Sequence, residues 1–145
     1  MTRAKRAIDI GSEFVGKIGY LLGAKANGRT LAEIAKAGKP LDCSGFIREL
    51  LHEVGVEIVD GSQQQRAACR PVSVHLAYSA EGAGCLLFMS PPRCKNWPRH
   101  VALSLGNGAT LECCSGSGVS VKHRKPGSWS AAGKLDKLFE QMEDV

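Results

Sequence analysis

The run Leu41-Asp42-Cys43-Ser44-Gly45-Phe46 limits most what this chain can become. Behind it, Phe46, Ile47, Leu50, Leu51 and Val54 recur at three and four residues, so the segment has one apolar face and reads as a helix. Asp42 stands where a cap belongs, since its carboxylate can accept N–H groups that the first helical turn leaves without partners. Cys43 opens the helix, where partial positive charge favours thiolate over thiol. Only the thiolate is a good nucleophile. Taken by its position alone, an inert buried thiol explains Cys43 equally well, because free cysteine is among the most buried residue types. Two further features tilt the balance: Arg99-His100-Val101-Ala102-Leu103, a histidine at a strand start, and Leu111-Glu112, an acid beyond a turn. One cysteine with a distant histidine and a polar third residue is the general pattern of a cysteine nucleophile.

The rest of the chain supplies a helical part and a sheet. Ala7, Ile10, Phe14, Val15 and Ile18 predict an amphipathic helix over residues 4–19. Thr30-Leu31-Ala32-Glu33 is a capping box that opens a short helix over 31–37, stopped by Gly38 and Pro40. Gly55 ends the helix begun at Cys43, and His52 lies on its solvated side. Residues 60–68 read as a polar loop leading into a short helix, and residues 71–78 as an edge strand holding a structural His75. Cys85 to Met89 is a core strand, and residues 90–98 form a loop, because three prolines do not fit a central strand. Val101 to Leu105, the turn Gly106-Asn107-Gly108 and Ala109 to Cys113 make a hairpin, with Val119 to Val121 as a further strand. His100 and Glu112 fall near one end of that hairpin, so their side chains can meet. Residues 130–142 read as a terminal helix with Leu135, Leu138, Phe139 and Met142 inward. With 145 residues, no internal repeat and no linker, residues 1–145 are expected to form a single domain.

Charge and cysteines narrow the partners. A formal net charge of +5 favours acidic partners, but no dense Lys/Arg run with interleaved aromatics exists, which argues against nucleic acid. No stretch of about 18 apolar residues is present, so no membrane span is expected. Met1 to Arg6 is basic, but Asp9 and Glu13 interrupt the stretch that would have to be apolar, so the segment does not read as a secretory signal and synthesis in the cytoplasm is expected. Cys69, Cys85, Cys94, Cys113 and Cys114 make no metal-ligand pattern, and no metal or cofactor is expected. Without an export signal reduced thiols are favoured, with Cys94 and Cys114 as exposed thiols that could pair under oxidation. His123-Arg124-Lys125 reads as a small solvated basic patch.

The chain resembles the NlpC-type family of papain-like cysteine peptidases, which cut peptides in bacterial cell walls. Asp42-Cys43-Ser44-Gly45-Phe46 matches that family's nucleophile motif, and Tyr20-Leu21-Leu22-Gly23-Ala24 resembles its upstream Tyr-x-x-Gly-Gly element, with Ala24 replacing the second glycine. Asp60 to Gln65 resembles its polar segment. Gly84-Cys85-Leu86-Leu87-Phe88 resembles a Gly-Asp-Leu strand with cysteine in place of aspartate, and His100 to Gly108 resembles the histidine strand and its hairpin. The likeness spans roughly residues 8 to 121.

The resemblance implies an α+β papain-like fold, with N-terminal helices and the nucleophile helix packed on a central antiparallel sheet. It implies hydrolysis of an amide bond in peptidoglycan stem peptides, commonly between D-glutamate and a diamino acid. Cys43 would be the nucleophile, His100 the base, and Glu112 the residue that holds the ring, where relatives usually carry histidine, asparagine or glutamine. Tyr20 and Ser44 are expected at the oxyanion side of the cleft, and Asp42, Ser62, Gln63, Trp97 and Arg99 as substrate contacts. Lacking a signal peptide, such a peptidase would reach the cell wall or periplasm by non-classical delivery, as an interbacterial effector with an inhibitory immunity protein or as a phage-tail component. A monomer is expected. The competing readings are a catalytically inactive wall-binding or assembly module, and an acyltransferase using the same thioester chemistry.

Overall fold

The structure, a computed structural model, describes residues 1–90 and 99–143. Thr2 caps α1 (Arg3–Ser12) by accepting from the Lys5 N–H at 3.0 Å. The helix is shorter than the apolar spacing predicts. Gly16 turns the backbone left-handed (φ 77°) and donates its N–H to Val119, while Ile18 accepts from Val119. Residues beyond Ser12 are thus drawn onto a strand, and Val15 faces solvent while Ile18 stays buried. Within α1, Gly11 permits a close approach: a Cβ there would lie 2.5 Å from Leu111 and 2.9 Å from Leu50.

The capping box forms as expected, with Thr30 and Glu33 bonding each other's backbone, and α2 runs Leu31–Lys36. The segment just before the nucleophile is held on both sides of Leu41, which forms a parallel bridge to Tyr20 and bonds Gly19 and Leu21. Then α3 (Cys43–His52) begins, capped by Asp42. Its Phe46, Ile47, Leu50 and Leu51 are fully buried, and Arg3 donates a guanidinium N–H to Val54 just past its end. His52 is exposed and pairs with Glu57. After α4 (Ser62–Ala68) comes β1 (Arg70–Val72), and there the expected strand over 71–78 stops. Ser73 caps a new helix, α5 (Val74–Tyr78), by accepting from the Leu76 N–H at 3.0 Å. Pro71 is tolerated because β1 is an edge strand.

The remaining strands are β2 (Leu86–Met89), β3 (His100–Gly106), β4 (Ala109–Cys114), β5 (Gly118–Lys122) and β6 (Ala131–Lys134). They form one antiparallel sheet in the order β1-β6-β2-β3-β4-β5. The helix expected over 130–142 is instead β6 and a 3-10 turn, Asp136–Phe139. The reason is tertiary. Small residues are needed to thread a strand between β1 and β2, and a Cβ on Gly133 would lie 2.3 Å from that of Cys69. Leu138 still points inward.

The alternation of strand residues gives the sheet two apolar faces. Leu86, Phe88, Val101, Leu103, Leu111 and Cys113 pack against α1 and α3. Leu87, Met89, Ala102 and Ala132 pack against Ala77, Tyr78 and Trp129. Cys85 belongs to this second layer and is 1 % exposed. Burial pushes its thiol above the ordinary range. Cys114, expected as an exposed thiol, is buried on β4 near the Ser120 hydroxyl, because the hairpin places it beneath β5. Cys94 lies outside the described residues.

Candidate active site

The start of α3 is held by a charge cluster. The Asp42 carboxylate accepts the Gly45 N–H at 2.7 Å and the Lys25 ammonium at 2.6 and 2.8 Å. Lys25 also bonds Asp60 at 2.8 Å and the Ser44 hydroxyl at 3.3 Å, and Ser44 donates to Asp60. Burial opposes the charge on Lys25, but the two carboxylates hold its pKa above the usual value. Gln65, buried, donates to the Ser44 carbonyl at 3.0 Å and ties α4 to the same turn. A helix start leaves four N–H groups without helical partners. Here the Asp42 N–H goes to the Ala24 carbonyl and that of Gly45 to the Asp42 side chain. Those of Cys43 and Ser44 remain, among the described residues, for a ligand at the helix end.

Across from Cys43, His100 begins β3. Its Nε2 lies 2.8 Å from Glu112 Oε1, and on the other side the ring interacts with Cys43, whose thiol faces the Arg99 carbonyl at 3.7 Å. The ring stacks on Trp129, centroids 6.2 Å apart and planes 18° from parallel. Burial works against a charged imidazole, but the neighbouring Cys43 and Glu112 overcome it and raise His100 to about 9. Burial likewise pushes Glu112 up, yet His100, Arg124 and Thr110 overcome it and hold the carboxyl at about 2. Both shifts report the same pair.

Glu112 has no exposed surface. Arg124 reaches it with Nη2 at 2.7 Å from Oε1 and Nε at 3.0 and 3.2 Å from the two oxygens. The expectation of a solvated patch at 123–125 is therefore wrong for Arg124: a buried carboxylate needs a cation, and this one sits just past β5 on the strand beside it. The Arg124 carbonyl accepts from the Tyr78 hydroxyl at 2.7 Å, and that oxygen accepts from Trp129 Nε1 at 2.6 Å.

A groove of about 940 Å³ opens beside His100, between α4, β1 and the β2–β6 edge. Ser62, Gln63 and Arg99 line it with His100, and Arg66 joins them. Among the described residues no carboxylate lines it. Asp42, expected as a substrate contact, is 7 % exposed, and its carboxylate is committed to the cap and to Lys25. The Ser44 hydroxyl likewise points into the Lys25–Asp60 cluster, leaving only its backbone N–H for an oxyanion. Tyr20 is half-buried and flanks the nucleophile through its bridge to Leu41. Trp97 lies outside the described residues. Among those described, no group of three or more His, Cys, Asp or Glu side chains could hold a metal, and no helix is long and apolar enough to cross a membrane.

The sequence reading missed Lys25, Arg66, Tyr78, Arg124 and Trp129. For Arg124 a signal existed: Glu112 pairs with Ser120 and Thr110 with Lys122, and two residues further along the same alternation is Arg124.

Comparison with known proteins converges on one family. The model of the NlpC/P60 family matches residues 20–134. A peptidoglycan DL-endopeptidase, CwlO, from Bacillus licheniformis is 32 % identical over 126 residues, covering 87 % of this chain and 26 % of that protein. The chain thus spans about a quarter of that relative's length. The solved peptidoglycan hydrolase RipB from Mycobacterium tuberculosis superposes with a TM-score of 0.70 at 25 % identity, over 96 % of this chain and 66 % of that one. RipD from the same organism, described as a non-catalytic NlpC/p60 domain adapted to peptidoglycan binding, superposes at 0.68 with 22 % identity, over 93 % and 98 % of the two chains.

Proposed function

The chain belongs to the NlpC/P60 family, and from that premise we propose that it is a single-domain cysteine peptidase hydrolysing an amide bond in peptidoglycan stem peptides through Cys43, His100 and Glu112. The observation that carries this reading is the 2.8 Å hydrogen bond from His100 to a buried Glu112 at the edge of a groove, with the Cys43 thiol beside the ring and 3.7 Å from the Arg99 carbonyl. Arg66 and Arg99, with no carboxylate among the described lining, suit an acidic peptide such as a glutamate-containing stem.

The chemistry follows from the geometry. His100 takes the Cys43 proton, and the thiolate attacks the amide carbon. The backbone N–H groups of Cys43 and Ser44 receive the developing oxyanion. His100 gives its proton to the amine nitrogen as the C–N bond breaks, leaving a thioester on Cys43. A water attacks that thioester while His100 takes its proton, and the carboxylate product leaves as sulfur departs. Glu112 orients the ring and stabilises the imidazolium throughout. Family likeness and the fold support the wall chemistry; the effector and phage-tail settings, the immunity protein and the monomer gain no support from the site.

Digestion of purified peptidoglycan by the wild type and by Cys43→Ala, with mass spectrometry of the fragments, tests the proposal. Fragments released by the wild type alone support it, and their masses name the bond. A new amide in place of a free carboxylate identifies an acyltransferase. No release from walls of several chemotypes under reducing conditions refutes hydrolysis and leaves a wall-binding module.

A further inference from the structure

The third position of the catalytic line carries a charge where an amide or imidazole would be neutral. A bare buried carboxylate against His100 would hold the ring proton hard and slow its transfer to the leaving amine. The structure supplies a counterweight. Arg124 makes three contacts to Glu112, engaging both oxygens, and Thr110 donates to Oε2. Oε1 is shared between Arg124 and His100. Arg124 is itself held in place: Tyr78 grips its carbonyl, Trp129 grips Tyr78, and the guanidinium lies 6.0 Å from the Trp129 ring that stacks on His100.

We propose that Arg124 is a positioning residue for the reaction: it offsets part of the charge of Glu112 and fixes both its oxygens, so that the Glu112–Arg124 pair offers His100 an oriented acceptor of reduced charge. This rests on the reading of Cys43, His100 and Glu112 as catalytic. The other titratable groups facing the pair are Cys43 on α3, Tyr78 on α5 and Cys114 on β4, with Arg99 adjoining His100. Of the groups that contact Glu112, Arg124 alone carries a charge that does not titrate near neutrality.

Titration of the His100 ring by NMR in the full chain tests the proposal, together with kcat/KM against pH. With Arg124→Gln, the cation opposing the imidazolium is lost. The His100 midpoint should rise by about half to one pH unit, the alkaline limb of kcat/KM should follow it, and kcat/KM at neutral pH should fall about tenfold. Arg124→Lys keeps the charge and should leave the midpoint close to that of the wild type. The double variant E112Q/R124Q has no unpaired charge and should exceed E112Q alone in kcat/KM, a non-additivity that a merely structural arginine does not produce. Should R124Q not fold, the lysine and double variants carry the test. An unmoved midpoint in R124Q, a lysine variant that shifts as far as glutamine, or additive losses would each overturn the proposal. If C43A and H100A digest wall as the wild type does, the catalytic reading fails and Arg124's role in the reaction falls with it. The ring titration then still reports whether Arg124 sets the charge of His100, which keeps the two failures apart.

Discussion

Glutamine at position 112 would separate charge from geometry. It keeps an oxygen for the His100 Nε2–H and removes the negative charge. A carboxylate at hydrogen-bond distance shifts a partner by about one to three pKa units. His100, now at about 9, should then ionise about two units lower. The alkaline limb of kcat/KM reports loss of the imidazolium that protonates the leaving amine, so it should descend by the same amount. At pH 8.5 this amounts to a loss on the order of 20-fold, while at pH 6 ionisation costs almost nothing. The variant also leaves Arg124 without its anion. Breaking a fully buried pair costs about 3–5 kcal/mol. The Arg124 side chain is 32 % exposed, so water relieves part of this and about 1–2 kcal/mol remains, equivalent to a drop in Tm of roughly 3–8 °C. The assay is cleavage of a soluble stem-peptide fragment by chromatography across pH 5–10, with thermal melts alongside. If the melt drops but the alkaline limb stays within about 0.3 unit of the wild type, Glu112 is only a structural residue and the reasoning fails.

Stability should itself report the pair. Glu112 is depressed from 4.5 to about 2, so its contribution is full above 4.5 and lost as pH falls toward 2. His100 is raised from 6.5 to about 9, so its contribution is full below 6.5 and lost as pH rises toward 9. Urea midpoints should therefore be highest between these windows, and both slopes should flatten in H100A. Gly133→Ala should destabilise by about 1–3 kcal/mol through its clash with Cys69, read as a lower urea midpoint with an unchanged m-value. Lys25→Ala strips the cation from Asp42 and Asp60 beneath the nucleophile. It should lower kcat/KM about three- to tenfold with little change in Tm, since the group is partly solvated; a wild-type rate would show that the cluster does not position Cys43.

The parts legible in the sequence are those set by local rules. The cap at Asp42, the capping box at Thr30 and the hairpin at Gly106-Asn107-Gly108 are each specified by a few neighbouring residues, and all form. They also brought Cys43, His100 and Glu112 within reach of one another. What escaped depends on partners far away in sequence. Residues 131–134 form a strand because two other strands leave room for small side chains, and no local pattern states this. The apolar run from Phe14 to Ile18 loses its helix to bonds with Val119. Arg124 looked like a surface charge because the carboxylate it neutralises lies on another strand. Asp42 looked available to a substrate because its lysine comes from a loop that carried no motif.

The position of β6 bears on when the molecule becomes functional during its own synthesis. Among the described residues it is the last of the sheet's six strands along the chain, yet it bonds β1 on one side and β2 on the other. Until residues 131–134 leave the ribosome, the inner edge of β2 is an open ladder and β1 has nothing to pair with. Ala131 and Ala132 also form part of the groove wall, and Trp129, the ring beneath His100, arrives only just before them. A nascent chain that already holds Cys43, His100 and Glu112 therefore still lacks a place to seat a peptide. Docking this late strand is a long-range event that must await loop closure, so the groove beside His100 is among the last parts of the molecule to be completed.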